Sequence, residues 1–197
     1  MNKEQILDKA LSFEFGGMSR GEIDFLYDFC KDKDVLELGS MAGMSSYAIA
    51  SVCNNVTCVD IWNDTFEHVS QRQKDVYDSL WTHGIKMVDM FRENCKPFLD
   101  SGKMRMERGK TEDVFDKFEK NSFDIVMIDA DHEYDGVKRD IENYISKAKK
   151  GGQLLFHDYG CTMWTGVQQA CEEFVGRGMI NIVNQTERIA VFDIKEQ

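Results

Sequence analysis

Apolar positions along the chain fall in short blocks, and their spacing alternates between the period of a strand and that of a helix. Val35–Leu38, Val56–Val59, Met104 with Met106, Phe123–Ile128, Gln153–Phe156, Ile180–Val183 and Ile189–Ile194 read as strands. Residues 3–13 read as a helix with Ile6, Leu7, Ala10 and Leu11 on one face. Gly16-Gly17 ends it, and Ser19-Arg20-Gly21-Glu22 has the form of a capping box before a helix carrying Ile23, Leu26, Tyr27 and Cys30. Further helices are expected over Tyr47–Val52, Thr111–Phe118, 134–149 and 163–176, with Gly151-Gly152 closing the 134–149 helix. Phe123–Ile128 is continuously apolar, as a parallel strand covered on both faces should be. The alternation predicts an α/β, Rossmann-like, doubly wound, seven-stranded sheet, mostly parallel with the last strand antiparallel and helices on both faces. No linker, repeat or low-complexity stretch interrupts it, so residues 1–197 are expected to form one domain, opened by N-terminal helices over 1–30.

One stretch departs from the pattern. Residues 63–101 exceed a simple connection and are rich in helix formers, which predicts helices over about 65–82 and 86–99. Pro97 is placed at a bend late in this stretch. Two roles stand open for it: cover for one sheet face, or a lid that shapes a ligand pocket. His68, Trp81 and His83 fall within it without a spacing that makes a site.

Composition narrows the class. The net charge is −11, which argues against a nucleic-acid substrate, because phosphate binding needs a basic surface. The six cysteines include no C-x-x-C pair, the N-terminus lacks the apolar core of a signal peptide, and no run is long enough to span a membrane. The expectation is a cytoplasmic protein with reduced thiols and no membrane partner.

The chemistry concentrates at strand ends. Val35–Leu38 runs into the glycine turn Gly39-Ser40-Met41-Ala42-Gly43, a helix start at Ser45-Ser46, and a second strand that ends in Asp60. Glycine permits a sharp turn and close approach of a ligand, and the helix start offers N–H groups to a carboxylate or phosphate. The acid at the second strand end can accept hydrogen bonds from ribose hydroxyls. Glu37 is read as a second acid pointing at the same crevice, and Ile61 and Trp62 as lining for a nucleoside. The spacing is G-x-x-x-G, with Ser40 where a dinucleotide fingerprint would carry its middle glycine. Two distant clusters, Asp129-Ala130-Asp131-His132 and His157-Asp158-Tyr159, end the fourth and fifth strands and should meet at the same edge.

These residues resemble the class I S-adenosylmethionine (SAM)-dependent methyltransferases, and within them a small-molecule or sugar O-methyltransferase branch. The resemblance rests on Glu37–Ser45, on I-D-A-D-H followed by Tyr134, Val137 and Asp140, and on the later H-D-Y. It implies SAM binding by Glu37, Gly39, Ser40, Gly43, Ser45, Asp60, Ile61, Trp62, Lys110, Thr111 and Asp129, with Lys110 or Thr111 beside adenine. It implies O-methylation of a small-molecule hydroxyl, with His132, His157 and Asp129 as catalytic candidates. In metal-dependent relatives Asp129 and Asp158 would hold Mg²⁺, but Tyr159 stands where a third ligand is expected, and Asp131 or His157 would have to substitute. A histidine base titrating near 6.5 is the alternative to the metal. An NAD-dependent oxidoreductase and a non-catalytic SAM-binding subunit are the other functional readings. The acceptor and a homo-oligomeric state stay open.

Overall fold

The computed structural model describes residues 1–62 and 86–195. In chain order the described elements are α1 (Lys3–Leu11), α2 (Arg20–Phe29), β1 (Asp34–Leu38), α3 (Met44–Val52), β2 (Asn55–Asp60), α4 (Met87–Asn94), α5 (Lys96–Asp100), β3 (Met104–Arg108), α6 (Thr111–Val114), β4 (Phe123–Ile128), α7 (Tyr134–Tyr144), β5 (Ala148–Phe156), α8 (Thr165–Gly176), β6 (Ile180–Thr186) and β7 (Ile189–Ile194). Short 3₁₀ turns follow α6 and α7. The expected 65–82 helix, with His68, Trp81 and His83, lies outside the described residues.

The seven strands form one sheet in the order β3-β2-β1-β4-β5-β7-β6. β7 runs antiparallel to both β5 and β6, and the remaining pairings are parallel. Successive side chains on each strand face opposite ways, so each strand feeds two cores. Val35, Cys58, Met127 and Leu155 pack with α1–α4, whereas Leu36, Leu38, Ile128 and Phe156 pack with α7 and α8. Strand order reverses between β1 and β4, and that switch opens a crevice beyond their carboxyl ends.

Local signals account for most boundaries. Ser19 and Glu22 form the expected capping box at α2, and Asn2 with Gln5 forms another at α1. Pro97 opens α5, where a missing N–H costs nothing, so the 86–99 helix is two pieces hinged at Cys95. One reading is corrected. Gly151-Gly152 does not close α7, which ends at Tyr144. The pair lies inside β5, beside a register irregularity opposite Phe123 and Ile125. Gly152 lies so close to the Asp124 carbonyl and the Lys149 backbone that a Cβ there would clash, which marks a bulge rather than a helix end.

Candidate active site

The glycine turn is built from beneath. Glu37 is fully buried at the end of β1, and the hydroxyls of Ser40 and Ser45 donate to its carboxylate at 2.6 Å each, with Ser46 donating as well. Burial raises its pKa, and the three hydroxyls oppose that rise. Glu37 therefore does not point into the crevice, and the Ser45 hydroxyl is spent on it. Both support the turn from inside. Asp60 closes the other side: its carboxylate accepts from the backbone N–H groups of Ser40 (2.9 Å), Met41 (2.8 Å) and Trp62 (2.7 Å). Three contacts leave lone-pair capacity on a carboxylate that stays part-exposed at the β2 end.

Trp62 is 1 % exposed, packs on Phe91 with ring centroids 4.7 Å apart and planes tilted by 54°, and donates its indole N–H to the Met41 carbonyl at 2.8 Å. Its side chain is core beneath the turn rather than pocket lining, while Ile61 beside it is half-buried. Asn94 holds the Ala42 carbonyl at 2.9 Å, so α4 also braces the loop. Gly39 (φ +87°) shows why no side chain fits: a Cβ would lie 2.0 Å from the Asp129 carbonyl oxygen. That contact is the switch point itself, where the β1 turn touches the end of β4. Gly109 donates to the Asp60 carbonyl at 3.0 Å, which brings Lys110 and Thr111 beside the same acid. The Thr111 hydroxyl donates to the buried Asp140 carboxylate, and its carbonyl accepts from Tyr144 at 2.8 Å.

The two distant clusters meet as expected. The His157 N–H donates to the Ile128 carbonyl at 3.3 Å, seating the end of β5 against the end of β4. His157 Nδ1 lies 3.1 Å from Asp129 Oδ1, and His132 Nε2 lies 3.4 Å from the same atom. His132 Nε2 is also 3.2 Å from Asp158 Oδ2. Arg188 Nη1 reaches Asp158 Oδ1 at 2.6 Å, and Arg188 pairs with Glu22 through Nε (3.1 Å) and Nη2 (3.0 Å). Glu22 Oε1 lies 3.5 Å from His157 Nε2. Acid and base alternate around a closed ring: Glu22, His157, Asp129, His132, Asp158, Arg188.

This alternation sets the ionisation states. Burial pulls the histidines down, but Asp129 and Asp158 raise His132 to about 9, and Asp129, Glu22 and Asp158 raise His157 to about 10. Burial pushes Glu22 up, but His157, Ser19 and Arg188 bring it to about 2, and the two imidazoles hold Asp129 well below the usual carboxylate range despite its burial. The expected histidine titration near 6.5 is corrected upward for this state of the protein, because each ring stands between carboxylates. His132 also packs against Trp164, with ring centroids 4.8 Å apart and planes tilted by 39°.

Asp129, His132 and Asp158 present ligand atoms that all lie within 4.8 Å of one another. Asp131 is not among them: its Oδ1 accepts the Glu133 N–H at 2.9 Å at the start of α7. Tyr159 packs on Phe192. Among the described residues the third ligand-capable atom of this cluster is on His132, not on Tyr159, Asp131 or His157.

A family model described as a methyltransferase domain matches residues 36–159, from the glycine turn through both clusters. The chain belongs to this methyltransferase family. The family match and the shared fold support a SAM-dependent transferase and count against the oxidoreductase reading. The methyltransferase is 26% identical over 134 residues to the uncharacterized protein y4gI of Sinorhizobium fredii, a stretch covering 65% of this chain and 13% of that protein. Its fold is similar to that of an O-methyltransferase from Bacillus cereus in complex with SAH (TM-score 0.66, 14% identity, 98% of this chain and 90% of that one). It is also similar to the SAH-bound methyltransferase PaMTH1 of Podospora anserina (TM-score 0.66, 16% identity, 98% and 88%).

Two members of the methyltransferase's ring, Glu22 and Arg188, lie outside the strand-end motifs. Glu22 was legible only as a helix cap, and Arg188, in the turn between β6 and β7, belongs to no motif. The signal for both is spatial: α2 and the β6–β7 turn come together over the end of β5.

Proposed function

We propose that this methyltransferase transfers a methyl group from SAM to a hydroxyl of a small molecule, at the ring beside the glycine turn. The observation that carries the reading is the contact of Gly39 with Asp129. It puts the cofactor turn and the convergent Asp129, His132 and Asp158 side by side at one switch point. Asp60 would accept the ribose hydroxyls, the Gly109–Thr111 turn would flank adenine, and the first N–H groups of α3 would face the methionine carboxylate. Methyl transfer from a sulfonium is an in-line displacement, so the protein must align the acceptor oxygen and help remove its proton.

Asp129, His132 and Asp158 would hold a divalent cation. Two carboxylate oxygens and one imidazole nitrogen suit Mn²⁺ at least as well as Mg²⁺, which favours oxygen alone. A bound ion lowers the pKa of an acceptor hydroxyl. The protein's own part is to hold Asp129 ionised between two imidazoles and to keep the centre buried against water. A specific observation supports a second reading: His132 Nδ1 is buried without a hydrogen-bond partner, and above the raised pKa of about 9 the neutral ring, its Nε2–H directed at Asp129 and Asp158, would present that nitrogen to an acceptor's proton. In the cell, the six unpaired thiols accord with a reducing compartment.

Calorimetry with SAM, followed by SAH detection over a panel of phenolic and sugar hydroxyl acceptors, tests the reading. Treatment with EDTA should abolish transfer without releasing SAM, and Mn²⁺ or Mg²⁺ should restore it. Transfer untouched by EDTA would move the assignment to the histidines. Tight NAD binding with none of SAM would overturn the whole reading.

A further inference from the structure

Glu22 and Arg188 sit outside both clusters, and no part of the proposed transfer site requires them as ligands. Glu22 is 0 % exposed, yet it is fully committed. Its carboxylate accepts from the Ser19 N–H at 2.8 Å, from the Arg188 N–H at 3.2 Å, from Arg188 Nε and Nη2, and faces His157 Nε2. Arg188 spends its guanidinium on three segments: Glu22 of α2, the Gly17 carbonyl at 2.8 Å, and Asp158 after β5. Its own carbonyl accepts from the Tyr159 N–H at 3.0 Å. Ser19 reaches back to Glu187, the preceding residue of the same turn.

We infer that Glu22 and Arg188 are positioning residues, which close the ring and fix the orientation of the His157 ring and the Asp158 carboxylate. Stability alone is a poor account of the pair. Burying a carboxylate against a guanidinium roughly breaks even against apolar packing of the same volume, so its worth lies in geometry. The planar fork of arginine suits that work, since it fixes two carboxylates at set angles in one plane. Asp158 itself sits at φ +59°, a left-handed conformation uncommon outside glycine that aspartate tolerates better than most residues. The link also joins the N-terminal segment to the reaction centre. Gly17 to Glu22 is docked by the same arginine that holds Asp158, so loosening one end should disturb the other.

The inference rests on the proposed transfer site, and the test separates the two. Uniformly ¹⁵N-histidine-labelled full-length protein is compared at one fixed pH as wild type, Glu22→Gln, Arg188→Lys and Arg20→Gln. Arg20 makes exposed pairs with Glu4 and Asp8 and serves as control. Glu22→Gln should shift the ring-nitrogen resonances of His157, and Arg188→Lys those of His132 through Asp158, while Arg20→Gln leaves both in place. SAM affinity by calorimetry should stay within about twofold of wild type in all three variants. Imidazole spectra that superimpose on wild type in both ring variants would overturn the inference. So would loss of SAM binding or of a cooperative melt in Arg188→Lys, since that marks a pair supporting only the fold. Should wild type bind no SAM, the proposed function fails while the imidazole comparison still decides the coupling.

Discussion

At the residue scale, one acid holds the glycine turn and would also serve the proposed ribose site. Asp60 was legible from its place at a strand end, but its bonds to Ser40, Met41 and Trp62 were not, because they depend on how the glycine turn folds back. Asp60→Ala should weaken SAM binding by roughly 1–3 kcal/mol, since ribose hydrogen bonds and turn support are lost together. Calorimetry checks it, and unchanged affinity would remove Asp60 from the cofactor site. Asp140 gives a second residue-level expectation. Burial raises its carboxyl to about 7, with the Thr111 hydroxyl opposing and Asp131 adding to the rise. The folded state therefore binds the proton more tightly than the unfolded chain. The benefit is full below an unfolded pKa near ~3.9 and is lost as pH rises through about 7. Glu22 has the opposite sign, giving stability that is present above its unfolded pKa and lost as pH falls toward about 2. Asp140→Asn should flatten the decline of stability between those two Asp140 values by up to a few kcal/mol, read from urea melts across that range. Parallel pH curves for variant and wild type would contradict it.

At the element scale, the strands and the first βαβ unit were legible because their signals are local: apolar runs, a glycine turn, a terminal acid. The Gly151-Gly152 pair was misread because glycine punctuates helices and strand bulges alike, and only the pairing of β5 with β4 tells them apart. Glu37 was misread for a related reason. Its position near a strand end says nothing of the serines that turn back to cover it. The turn predicts its own sensitivity. Gly39→Ala places a side chain at φ +87° and drives a Cβ into the Asp129 carbonyl, a backbone atom fixed by its own N–H bond to Leu38 at 2.8 Å. The left-handed conformation alone costs about 1–2 kcal/mol, and the clash adds to it. A lower melting temperature with loss of SAM binding is expected. Gly102→Ala, also at positive φ (+75°) but with open space around its Cβ, should cost stability while leaving SAM affinity unchanged. Equal effects of the two on SAM affinity would deny the contact a role at the site.

At the scale of the whole molecule, the doubly wound sheet brings residues from α2, β4, β5 and the β6–β7 turn to one edge, which no linear motif can announce. What composition does announce is the charge. At −11 the protein repels a polyanion at long range, over a screening length of about 8 Å at physiological salt. Many of its cations are already matched with acids: Lys3 with Asp24 and Asp28, Arg20 with Glu4 and Asp8, Lys149 with Asp34 and Asp124, Arg177 with Glu142 and Glu173. To bind phosphates these cations would have to abandon carboxylates, so counterion release from the duplex would be offset by new unpaired acid on the protein. No duplex DNA or RNA binding is therefore expected in a gel shift at physiological salt, even with SAM present. A sub-micromolar complex whose affinity falls steeply with added salt would show that a basic face had been assembled elsewhere. It would also reopen a nucleic-acid hydroxyl as the methyl acceptor.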